Sequence, residues 1–135
     1  IARRIRIVAE IEECTDRTYR RVKPVQRKYN KGREFTPEQE TRVREMASVV
    51  GQTLSAADNY MLRAVPSDVI GAVRMLEEQS DNMRKTFNKD AMQRMASGDI
   101  RVEMLYTDIN NHLEAIANHA VNIIQESSAI SQGNL

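Results

Sequence analysis

Three pairs of polar residues at four-residue spacing carry the clearest chemical signal in this chain: Glu12/Asp16, Glu77/Asp81 and Glu114/Asn118. On an α-helix that spacing brings both side chains to one face, a turn apart. Each pair could therefore converge on a cation or share hydrogen bonds. Glu12 is the most telling member, because Ile5, Val8, Thr15, Tyr19 and Val22 form an apolar seam and Glu12 falls inside it. A carboxylate in such a seam is costly unless it is paired, hydrogen-bonded or bound to a metal. The first and third pairs repeat one arrangement: Glu12 aligns with Glu114, Asp16 with Asn118 and Ile11 with Leu113. The line continues to Arg20 on one side, and to Asn110 and Asn122 on the other. A solvated stripe or a structural hydrogen bond is the plain alternative for each pair, and spacing alone does not choose between them.

Other chemistries lack their residues. His112 and His119 stand seven apart without a Cys or Glu-x-x-His companion, so neither zinc nor a di-iron site is indicated. No Gly-rich phosphate loop and no Ser/His/Asp set is present. The chain reads as one that binds and relays, not as an enzyme. The single cysteine, Cys14, excludes an internal disulfide and reads as a small buried hydrophobe. Met92 and Met95 read as core filler.

The elements that must position these residues are helices. Aromatic residues make up only 4% of the 135 residues, against an apolar share of 41%, a mixture that suits helix packing better than a sandwich or barrel. Helical periodicity predicts four segments, over 1–29, 36–64, 67–96 and 99–125, with breaks near 30–36, 64–67 and 97–99. Thr36-Pro37-Glu38-Gln39 reads as a capping box with Pro at the first helical position. Ser67 or Asp68 is expected to cap the third segment, Gly98 to end it, and Asp99 to cap the fourth, which frays from Ser127 onward. The apolar positions expected inside include Val43, Met46, Val50, Leu54 and Ala57 in the second segment, and Val73, Leu76, Ser80, Met83, Phe87 and Met92 in the third. Long helices joined by such short turns must pack antiparallel to their neighbours. The expected fold is all-α, an up-and-down bundle of long antiparallel helices.

Charge is unevenly spread. Residues 1–34 hold eleven Lys/Arg against five acids, a net +6, while the remainder holds nine against fourteen, a net −5. A basic segment can face water, anionic lipid or nucleic acid. Nucleic acid is the least supported, since no stacking aromatics or reading motif accompany the charge. No apolar run approaches the roughly 18 residues of a membrane span, and no signal-peptide pattern opens the chain. It starts at Ile1 in mid-pattern, without Met, as a piece of a longer protein would.

The stretches AEIEECTDRTYRRV and NHLEAIANHAVNII resemble the paired E-x-x-x-D helices of the PhoU family. The second follows that family's pattern at Leu113, Glu114, Ile116, His119, Ala120, Asn122 and Ile123. MLEEQSDNMRKTFNKDAMQRM is similar to the preceding helix in the C-terminal domain of bacterial sodium/phosphate cotransporters. The resemblance covers nearly the whole chain and is strongest over 70–125. It implies a single helical domain over 1–135, with 1–30 as the last helix of a first repeat and 36–130 as a complete three-helix second repeat. It also implies a regulatory domain of a sodium-dependent phosphate transporter at the cytoplasmic face of the inner membrane. Its partner would be the transporter's membrane portion or a phosphate-signalling protein. A freestanding regulator and a metal-free structural adaptor are the rival readings. The family's acidic motifs are implicated in metal binding, which makes Glu12, Asp16, Glu114 and Asn118 the candidate ligands for a divalent cation or iron. Asn118 stands where the family has Asp, and Ala115 and Ala117 replace its Arg and Gly. An Asn offers one neutral oxygen and removes a charge from a hard-cation site, so the expected affinity is weak. A truncated first repeat would leave an apolar stripe at Ile5 and Val8, from which a homodimer or swapped arrangement is expected.

Overall fold

The computed structural model describes residues 35–131. The predicted segment over 1–29 lies outside these residues, and with it Glu12, Asp16, Cys14 and the stripe at Ile5 and Val8. Three helices follow: α1 (Pro37–Tyr60), α2 (Ser67–Arg94) and α3 (Ile100–Ser131). Among the described residues there is no strand, and the helices pack on one another as an all-α bundle.

Side-chain bonds fix the directions. Asn88 meets Asn111 and Arg84 meets Glu114, so α2 and α3 run antiparallel. Gln39 meets Glu103 at one end of the bundle and Leu62 meets Ser127 at the other, so α1 and α3 run parallel. The core forms two clusters. One gathers Met46, Val50, Phe87, Ala91, Tyr106, Ile109 and Leu113 with their neighbours; the other gathers Ala57, Val73, Ala120, Val121, Ile123 and Ile124. α3 contributes most of both, so the helix that holds Glu114 and Asn118 is also the one around which the others pack.

The start of α1 follows its sequence signal. The Thr36 hydroxyl accepts from the Gln39 amide (3.2 Å), the Gln39 side chain accepts from the Thr36 amide (3.0 Å), and Pro37 opens the helix. Gln39 does more than cap, since its side-chain nitrogen donates to Glu103 of α3 at 3.0 Å. Asp99 also caps as expected, accepting from the Arg101 amide at 3.0 Å. Gly98 closes α2 through its amide on the Arg94 carbonyl (2.8 Å). The need for glycine there is close approach, because an added Cβ would lie 3.1 Å from that oxygen.

Other boundaries differ from expectation. α1 ends at Tyr60, not near Ala64. Leu62 adopts φ 60, a left-handed conformation that costs a non-glycine residue roughly 1–2 kcal/mol. Its amide donates to the Ser127 hydroxyl at 3.0 Å, so a tertiary bond absent from the local pattern stops the helix early. Neither Ser67 nor Asp68 is the cap of α2: Pro66 holds that position, and its carbonyl accepts from the Val69 and Ile70 amides. α3 does not fray at Ser127 but continues to Ser131, with Ser127 and Ser128 buried against the bundle.

Two apolar assignments also fail. Leu54 is 40% exposed and Met92 69% exposed. The α1 seam runs through Met46, Val49, Val50, Thr53 and Ala57. Thr53 tolerates full burial because its hydroxyl donates to the Val49 carbonyl at 3.1 Å. At this end of α2 the fully covered position is Ala91, which leaves the neighbouring Met92 on the outer side.

Candidate functional site

The polar pairs on α2 and α3 are brought to a single seam. Asn88 and Asn111 are hydrogen-bonded at 2.8 Å. One turn back on α2 and one turn on along α3, Arg84 faces Glu114. A further turn brings Asp81 on α2 and Asn118 on α3, both with side chains partly shielded. The four-residue spacing therefore does place acidic and amide groups on one face, and antiparallel packing sets the two faces together.

Each carboxylate in the seam has partners. Asn118 donates its side-chain nitrogen to Glu114 Oε1 at 2.8 Å, one turn back along α3. The other oxygen, Oε2, faces Arg84 Nε at 3.8 Å. The same guanidinium donates through Nη2 to Asp81 Oδ1 at 2.8 Å, and Lys85 Nζ lies 3.0 Å from Asp81 Oδ2. The hydrogen bond from Arg84, then that from Lys85, holds the Asp81 carboxyl below its ordinary range despite some desolvation. Arg84 Nε is buried and closes no hydrogen bond among the described residues. Glu77, the partner of Asp81 in the sequence pair, uses its backbone carbonyl to accept from the buried Ser80 hydroxyl at 2.9 Å.

Four residues were the expected metal ligands. Glu12 and Asp16 lie outside the described residues. Glu114 and Asn118 come together, but as donor and acceptor to one another: Asn118 turns its nitrogen, not its oxygen, toward Glu114. Among the described residues, no three His, Cys, Asp or Glu side chains gather as a metal site. Among the described residues, the α2–α3 seam thus offers a hard cation one carboxylate already facing a guanidinium and another already held by Arg84 and Lys85, a donor set that by itself does not fit a metal.

A second polar cluster lies at the α1 N-terminus and was not visible in the motifs. Glu103 is buried and takes a two-pronged bond from Arg94 (2.9 and 3.1 Å) besides the one from Gln39. Arg94 lies 5.5 Å from the centre of the Tyr106 ring, and Phe35 meets that ring edge-on at 5.9 Å. Arg42 pairs with Asp90 and sits 5.2 Å over Phe87. Burial pushes the Tyr106 hydroxyl up, held back by the nearby Asn110 amide and by Arg42 and Arg94. Neither the hydroxyl nor the fully buried Asn110 amide closes a hydrogen bond of good geometry among the described residues. The hint for Arg84 was its place three residues after Asp81. For Glu103 the signal was register, since it stands three residues before Tyr106 and seven before Asn110, on the buried line that Leu113 and Ala117 continue.

An open groove runs between α1 and α2, floored by Val49, Met83 and Phe87 and edged by Glu45, Met75 and Glu78. No described helix is long and apolar enough to cross a membrane.

A family model described as PhoU domain matches residues 43–127, from the first turns of α1 to near the end of α3. No curated protein and no solved structure matches the chain.

Proposed function

From the premise that this chain belongs to the PhoU family, and is thus a phosphate-related regulatory helical domain, we propose that it is the non-catalytic regulatory domain of a sodium-dependent phosphate transporter. In this reading it lies at the cytoplasmic face of the membrane and relays a signal through helix packing. The observation that carries the reading is the +6 charge of residues 1–34 ahead of a bundle that is net acidic. Lys and Arg concentrate on the cytoplasmic side next to membrane segments, where anionic lipid attracts them. The test is phosphate uptake by cells that carry the full-length gene with or without residues 1–135. Removal should leave sodium-driven uptake intact but uncouple it from external phosphate. Uptake that responds to phosphate equally in both strains would end this reading.

A second reading, a helical adaptor that works without metal, is favoured by one observation. The Glu114 carboxylate takes a hydrogen bond from Asn118 and faces the Arg84 guanidinium. Metal analysis of purified full chain addresses it: a bound transition metal at one equivalent would count against the adaptor.

A further inference from the structure

The seam between α2 and α3 contains its own cation. Arg84 reaches from α2 to α3, donating to Asp81 at 2.8 Å and presenting Nε to Glu114 at 3.8 Å. Its side chain is 27% exposed and that of Glu114 16%, so the pair is shielded from much of the solvent screening that weakens surface ion pairs. Asn118 points a second donor at the remaining Glu114 oxygen. A hard cation needs carboxylate oxygens at about 2.0–2.6 Å. To reach Glu114 it would have to turn the Asn118 amide away and meet the like charge of the guanidinium. The buried Nε of Arg84 would then lose the carboxylate it faces.

We propose that Arg84 is the resident counter-cation of this seam: it links Asp81 of α2 to Glu114 of α3 in the role a metal would otherwise take, so this repeat keeps its acidic seam without a metal. The proposal concerns how the seam is neutralised and does not depend on what the domain regulates.

The experiment is thermal unfolding of the full chain with and without Mn²⁺, for the parent, Arg84→Met, Arg84→Lys, Glu114→Gln and Arg84→Met/Glu114→Gln. The parent midpoint should not depend on Glu114 for any response to Mn²⁺. Arg84→Met should melt lower in metal-free buffer, because it leaves two carboxylates without their shared cation. Saturating Mn²⁺ should then raise its midpoint by about 4 °C or more, a shift typical of binding to the folded state of a small domain. The rise should vanish in Arg84→Met/Glu114→Gln and be absent in Arg84→Lys, which keeps a cation in place. A rise in the parent that Glu114→Gln abolishes would overturn the proposal, since Glu114 would then take the ion with Arg84 present. An Arg84→Met variant as stable as the parent and indifferent to Mn²⁺ would overturn it as well. A rise unchanged by Glu114→Gln places the ion elsewhere and leaves Glu114 to Arg84, as proposed. Should Arg84→Met not fold, the parent, Glu114→Gln and Arg84→Lys still decide the matter.

Discussion

Asp81 accepts from two cations of its own helix, Arg84 at the third position on and Lys85 at the fourth. Its carboxyl is thereby held below the ordinary aspartate value, the Arg84 hydrogen bond being the largest cause. A depressed folded-state pKa contributes stability that is fully present above the unfolded value and is lost as pH falls through the folded one. Asp81→Asn should therefore lower stability at neutral pH and flatten the acid limb below about pH 4. The side chain is 34% exposed, which keeps the effect below about 1 kcal/mol. Urea titrations at several pH values check this, and an unchanged acid limb would mean that these pairs form in the unfolded chain too. The sequence showed which residues share this face, because helical spacing alone decides that. It did not choose between Asn118 donating to Glu114 and offering its oxygen to a cation, because four-residue spacing permits both; the bond that forms lies within α3.

At the scale of the element, α1 begins as its sequence prescribes and ends as its surroundings prescribe. The capping box needs only Thr36, Pro37 and Gln39, all local. The early stop at Tyr60 depends on the Ser127 hydroxyl, which is 65 positions away from Leu62 and invisible to any window along the chain. For the same reason the covered face of α1 includes Thr53 but not Leu54, an outcome of which neighbours α3 presents. Gln39 belongs to both regimes, and this gives it a testable signature. Gln39→Ala removes a capping partner and one bond to buried Glu103, and should cost about 1–2 kcal/mol. Gln39→Glu preserves the capping box yet sets a second carboxylate against Glu103. It should be the more damaging change at pH 7 and recover on acidification, as followed by denaturant midpoints. Equal, pH-independent losses in both variants would show that the bond to Glu103 contributes nothing.

At the scale of the molecule, the all-α bundle was legible because long periodic segments with short turns admit few arrangements. The central place of α3 has its sign in composition, because it is the most apolar and least charged of the three helices, and it packs on both α1 and α2. The charge division between residues 1–34 and the remainder is likewise a whole-chain property. It predicts weak, sequence-independent adhesion to polyanions that fades with salt. In a filter-binding assay at physiological ionic strength, the chain should not distinguish one DNA or RNA sequence from another, and selective retention would contradict this.

The methionines that lie on the outside give the molecule a property unrelated to its stability. Met75, Met92 and Met104 are 72%, 69% and 54% exposed, whereas Met46 is wholly covered. Thioethers oxidise to sulfoxides where peroxide can reach them, so brief treatment should mark one methionine on the groove, one on the outer side of α2 and one on the first turns of α3, and spare the core. Read by peptide mass, the three sulfurs form a built-in footprinting set. A partner that settles on any of these surfaces would announce its position by the sulfur it protects.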